Sequence, residues 1–161
     1  MAVPKTILEA THVFSGLAGS TTISRGDLVY DDGTDWELAD ASALTTYAMA
    51  VAVSDAPIGG NVLLARSAVL FDGDDNSFSS NTFDTLYAHT TAGGISATRP
   101  TAANAVVQVV GHAYKVHGGT GAQLAVIDIK GPSELSVTAS YKFATSANAV
   151  LDSGPYGSGT L

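Results

Sequence analysis

The side chains able to do chemistry are few, and their spacing decides what each could do. Asp72-Gly-Asp-Asp-Asn76 sets acids at 72 and 74 and an amide at 76, imitating the first three ligand positions of a calcium loop. The imitation stops there, because Ser77 stands where the loop needs glycine and Phe83 where it needs a bidentate acid. Residues 71 to 78 therefore read as a solvated acidic turn, and so do Asp31, Asp32 and Asp35. His12, His89, His112 and His117 share no short metal-ligand spacing, and His112 and His117 fall on opposite faces of one strand. A small hydrolase would need His89, His112 or His117 to converge with an acid, yet no Gly-x-Ser-x-Gly elbow and no carboxylate pair marks one. Gly118-Gly-Thr-Gly121 leads into a strand, whereas a phosphate loop needs a helix N-terminus after it. Arg25-Gly-Asp27 matches an integrin-binding tripeptide, but its neighbours read as strand and not as a loop tip. The expectation is a protein that is not an enzyme and has no catalytic residue, cofactor or metal.

The elements that must position these groups are strands. The chain is organised around residues 82 to 117: a β-prone run closing at Tyr87, a break at Gly93-Gly94, a short second strand, a stop at Arg99-Pro100, then the buried run Ala105 to Val110. Before it, Thr6 to Phe14 is β-prone and thins into a Gly/Ser/Thr connection ending at Thr22; it is either an arm pairing with a neighbouring subunit's sheet edge or an intramolecular edge strand. Ile23 to Tyr30, entered through Gly26, and Trp36 to Leu38 flank an Asp-Gly turn and read as a hairpin, since glycine supplies positive φ at no steric cost. Ala39 to Thr46 is a helical turn or loop with Asp40 or Ser42 as cap. Tyr47 to Ser54 reads as a buried strand, and Asn61 to Phe71, past a Pro/Gly turn, as one long strand or a bent pair. Val106 to Val116 and Ala122 to Ile129 form a hairpin, Glu134 to Phe143 is the last alternating strand, and 144 to 161 is a flexible tail rich in Ala, Ser and Gly. Eight to ten short strands give an all-β, single-domain antiparallel barrel or sandwich, with an N-terminal arm at 1–22, a core at 23–143 and a tail at 144–161.

Composition narrows the function. Only 14% of the 161 residues are charged, against a typical ~25%, and 17 are glycine. An exterior of Ser, Thr, Ala and Gly is cheap to desolvate, which suits wide subunit contacts. A net charge of −8, from 15 acids and 7 bases, offers no field for phosphate backbones, so nucleic-acid binding is not expected. Cysteine is absent, which excludes disulfides and thiolate zinc sites. The first residues lack the features of a signal peptide and no apolar run reaches the ~20 residues of a membrane helix, so a soluble protein with no membrane partner is expected.

Leu86-Tyr-x-x-Thr-Thr-Ala-Gly-Gly-Ile-x-x-x-Arg-Pro-Thr followed by Val106-Val-Gln-Val-Val-Gly-x-Ala113 resembles the C-terminal half of small phage virion proteins, in particular capsid decoration (cement) proteins. Weaker echoes lie in Arg25 to Tyr30, in Trp36 with Ala39 to Ser42, and in Ala52 to Leu70, so the resemblance covers about two-thirds of the chain. It implies a small β protein, made in the host cytoplasm, that binds the outer surface of an assembled head as a homotrimer and clamps the major capsid protein against packaged DNA. Contacts are expected from the terminal apolar residues Ile7, Leu8, Phe14, Tyr141, Phe143 and Tyr156. The alternative is a head-fibre or tail component binding a receptor or glycan through an aromatic platform of Trp36, Tyr30 and Tyr47.

Overall fold

A computed structural model describes residues 5–72, 83–115 and 123–130 and the backbone of 136–137, 151–152 and 158–159. The strands are β1 Thr6–Thr11, β2 Phe14–Leu17, β3 Leu28–Asp31, β4 Trp36–Leu38, β5 Ala50–Ala52, β6 Asn61–Ala65, β7 Ser67–Asp72, β8 Phe83–Ala88, β9 Ile95–Ser96, β10 Val106–Val107, β11 Val109–Lys115, β12 Gln123–Asp128 and β13 Ser136–Val137, with a small pair, β14 Leu151–Asp152 and β15 Ser158–Gly159. The described residues contain no helix. Two antiparallel sheets carry the fold: a six-stranded one in the order β1-β7-β12-β11-β8-β9 and a five-stranded one in the order β2-β6-β5-β3-β4. Leu70, Leu86, Ala113, Ala125 and Ile127 of the first pack against Leu28, Val51 and Ala65 of the second, so the architecture is a sandwich.

One two-stranded ribbon belongs to both sheets. β1 pairs with β7 in the first sheet, and the same two segments continue as β2 and β6 in the second. Thr11 faces Ser67 and Phe14 faces Leu64, so the register passes the corner without a slip and sets His12 level with Arg66. Turning that corner puts His12 at φ 55°, a left-handed conformation uncommon outside glycine. The N-terminal run is thus an edge strand of its own chain. Its bent partner is the Asn61 to Phe71 segment, broken at Arg66. The connection after β2 is held as well: Glu37 accepts hydrogen bonds from Ser20 N (2.6 Å) and Thr21 Oγ1 (3.2 Å), and Ala18 N donates to Gly60 O (2.8 Å).

The five-stranded sheet curls around a second core of Ala18, Ile23, Val29, Ala50, Ala52, Ala56, Val62 and Leu64, with Phe14, Trp36 and Leu38 packed against it. Its edges touch at one bridge, Ala18 with Trp36, where Gly19 N donates to Trp36 O (2.9 Å). The sheet does not close, so the barrel alternative is not realised. Gly16 lies directly beneath the Trp36 indole, where any β-carbon would overlap the ring.

Several strands are shorter than their sequence suggests. Ile23 to Tyr30 does not run as one strand, because Asp27 N donates to Ser24 O (3.0 Å) across Arg25-Gly26 and Gly26 takes φ 86°, a type II turn, before β3 begins. Tyr47 to Ser54 narrows to β5. Ahead of it, Ala48 bonds to a side chain and not to a strand: Ala48 N donates to Gln108 Oε1 (2.8 Å), and Gln108 Nε2 donates to Ala48 O (2.7 Å). Ala39 to Thr46 forms turns, with the Asp40 carboxylate accepting from Ser42 N (2.7 Å). Asp72 is not in a solvated turn; it ends β7 on the core side and is buried. Residues 83 to 115 form β8, β9, β10 and β11, with β11 paired to β12, but the run Ala105 to Val110 is not one buried strand: it is split at Gln108 between β10 and β11, and Val109 is exposed. Of Glu134 to Phe143, only β13 lies within the described residues.

Candidate functional site

Two places stand out, the outer face of the six-stranded sheet and a cleft at the corner. On the outer face the cross-strand registers line up Phe71, Leu124, Tyr114 and Phe83 in one row, and Val69, Val126, His112 and Thr85 in the next. Phe83 is 54% exposed, Tyr114 42% and Val126 39%. The Phe83 ring stacks on His112 (centroids 5.2 Å, 18°) and meets Tyr114 edge-on (5.2 Å, 70°). Inward, Leu70, Leu86 and Ile127 fill the main core, while Gly111, Ala113 and Ala125 between them are small. A β-carbon on Gly111 would overlap the carbonyl oxygen of Val126, so β11 and β12 approach too closely there for any side chain. The sheet therefore carries large apolar residues on both faces, Leu70, Leu86 and Ile127 inward and Phe83, Tyr114 and Val126 outward, which covering one core does not require.

The edge of the same sheet is β1. A register shift between Ile7 and Glu9 makes Leu8 the extra residue of a β-bulge, and Leu8 is 57% exposed. Ile7 instead packs against the main core, and Phe14 packs on Trp36 (centroids 5.5 Å, 52°). Of the three N-terminal contact candidates, only Leu8 is thus turned to solvent. Tyr141, Phe143 and Tyr156 lie outside the described residues.

The cleft, of about 600 Å³, opens where the ribbon crosses between the sheets. Phe14, Trp36 and Tyr47 supply its aromatic wall, and His12, Asp31, Arg66 and Lys130 its charged and polar groups. Gln108 fixes Ala48 and with it the neighbouring Tyr47 and Met49 that line the cleft. Trp36 and Tyr47 of the aromatic platform are thus brought together, but Tyr30 is not: it packs against the main core. Burial, and then the carboxylates of Glu37, Asp32 and Asp40, push the Tyr30 phenol above its ordinary value, which keeps it protonated.

The remaining candidates stay apart. His89 sits beyond the end of β8, where its Nδ1 accepts from Thr91 N (2.9 Å), while His112 is mid-strand on the outer face opposite Thr85. His117 and residues 118–121 lie outside the described residues, as does the acidic segment after Asp72. Among the described residues no group of three or more His, Cys, Asp or Glu is placed to hold a metal. Arg25-Gly-Asp27 is engaged internally: Arg25 Nε lies 3.1 Å from Asp55 Oδ2, and Asp27 Oδ2 accepts from Ser24 N (2.8 Å). In the acidic turn, Asp31 Oδ1 accepts from Gly33 N (2.8 Å) and Asp32 Oδ1 from Thr34 N (2.8 Å) and Asp35 N (2.9 Å). The backbone donors from Asp35 and Thr34 hold the Asp32 carboxyl below its ordinary value.

The sequence offered one signal for Gln108, a lone amide inside an apolar run, and none for His12 standing level with Arg66, which needs the ribbon register. No protein-family model, no curated protein and no solved structure matches this chain.

Proposed function

We propose that this protein is a virion structural component that binds the outer surface of an assembled phage capsid and stabilises it against the pressure of packaged DNA. The observation that carries this reading is the outer face of the six-stranded sheet, an apolar surface with stacked aromatic side chains that monomers seldom leave uncovered. The sequence resemblance to decoration proteins supplies the partner, the major capsid protein, and the homotrimeric state. The charge of −8 suits a protein kept away from the genome. Stabilisation of this kind asks little of each copy, since many modest contacts made to subunits already in place add up across a shell.

The test is co-sedimentation with capsids lacking the protein, comparing the wild type with Phe83→Ser/Tyr114→Asp. Both positions are exposed, so the fold should survive, as far-UV circular dichroism would show. Removing two aromatic anchors is expected to weaken binding by more than about tenfold. Wild-type binding by the folded double variant would contradict the assignment of this face.

A further inference from the structure

We propose that the corner cleft is a binding site for an acidic sugar, a pyranose carrying a carboxylate. The inference is independent of the capsid reading and rests on the size and lining of the cleft. The volume of about 600 Å³ falls within the ~300–1,000 Å³ of small-molecule sites. Trp36 and Phe14 form an angled aromatic pair, and Gly16 fixes the indole from below. The apolar C–H face of a sugar ring carries a slight positive charge and seats on the negative face of such a ring.

The polar groups match the rest of a sugar. Asp31 keeps Oδ2 for a hydroxyl, since only its Oδ1 accepts from Gly33 N. Arg66 is exposed at the break between β6 and β7 and makes no ion pair among the described residues, leaving its fork for a carboxylate. Lys130 stands on the same wall, so among the described residues two cations and one acid line this cleft, in a protein whose net charge is −8. A local surplus of positive charge in an acidic protein favours an anionic ligand over a neutral one. The left-handed His12 also lines the cleft, and backbone conformations of that kind concentrate at ligand sites.

Trp36 is the chain's only tryptophan, so its emission reports on the cleft alone. The full chain would be titrated with N-acetylneuraminic acid and glucuronic acid, and in parallel with galactose, acetate and inorganic phosphate. A saturable change with an acidic sugar, at least about tenfold weaker in Arg66→Gln, is the expected result. No saturable change up to about 50 mM, weaker than any useful specific affinity, would overturn the proposal. So would equal binding of galactose, which removes the role of charge, or an equal response to acetate or phosphate, which makes the site a small-anion site. An unchanged affinity in Arg66→Gln would overturn it as well.

Discussion

Asp27 shows how one carboxyl can work against the fold that contains it. Burial, the largest influence, pushes it above its ordinary 3.8; the Ser24 N–H and Lys5 pull it down, and Asp55 pushes it up again. The folded protein therefore holds this proton to higher pH than the unfolded chain does. Stability contributed here is present when the group is protonated and falls as pH rises from 3.8 through the raised value. Asp27→Asn keeps an oxygen for the Ser24 N–H and removes the charge. It should be more stable than the wild type at neutral pH, with the advantage vanishing as pH drops below 3.8, as denaturant melts at several pH values would show. An advantage that does not depend on pH would contradict this account. The residue also corrects a reading from sequence alone: Arg25-Gly-Asp27 looked like part of a strand because its flanks are β-prone, but Gly26 lets the chain turn and brings Asp27 inward.

At the level of elements, Gln108 does the work of a missing strand. Its amide satisfies both the N–H and the C=O of Ala48, two buried groups that no neighbouring strand reaches. Gln108→Leu should cost about 2 kcal/mol or more, since each orphaned buried group costs ~1–3 kcal/mol, and should loosen Tyr47 at the cleft. Chemical denaturation checks the first and Trp36 emission the second; wild-type stability would contradict the bridging role. Most strands and turns were legible in the sequence, because alternation, Asp32-Gly33 and Gly93-Gly94 each act locally. The ribbon corner was not, because continuity between the β1–β7 and β2–β6 registers is a pairing of residues distant in sequence, from Leu17 with Asn61 to Thr6 with Phe71. The outer sheet face was hidden for a different reason. The strands alternate as expected, but large apolar residues stand on both faces, Leu70, Leu86 and Ile127 toward the core and Tyr114, Leu124 and Val126 outward, so assigning large apolar residues to the interior misses the outer set.

For the whole molecule, one core between the sheets and a second inside the curled sheet hold the fold, while the apolar outer face and the corner cleft stay open to solvent. Neither surface needs a reactive group to serve as a docking site. The N-terminal run, expected as either an arm or an edge strand, ties the two sheets together, which leaves Leu8 at its bulge as an exposed apolar residue on that edge. The resemblance to decoration proteins rests on turn and strand residues that also set the fold, so stoichiometry discriminates where sequence does not. The most direct measurement is the copy number of this protein relative to the major capsid protein in purified particles, by quantitative mass spectrometry. The capsid account predicts a ratio near one to one, or a simple fraction of it. A few to a few dozen copies per particle, or absence from particles, would contradict it.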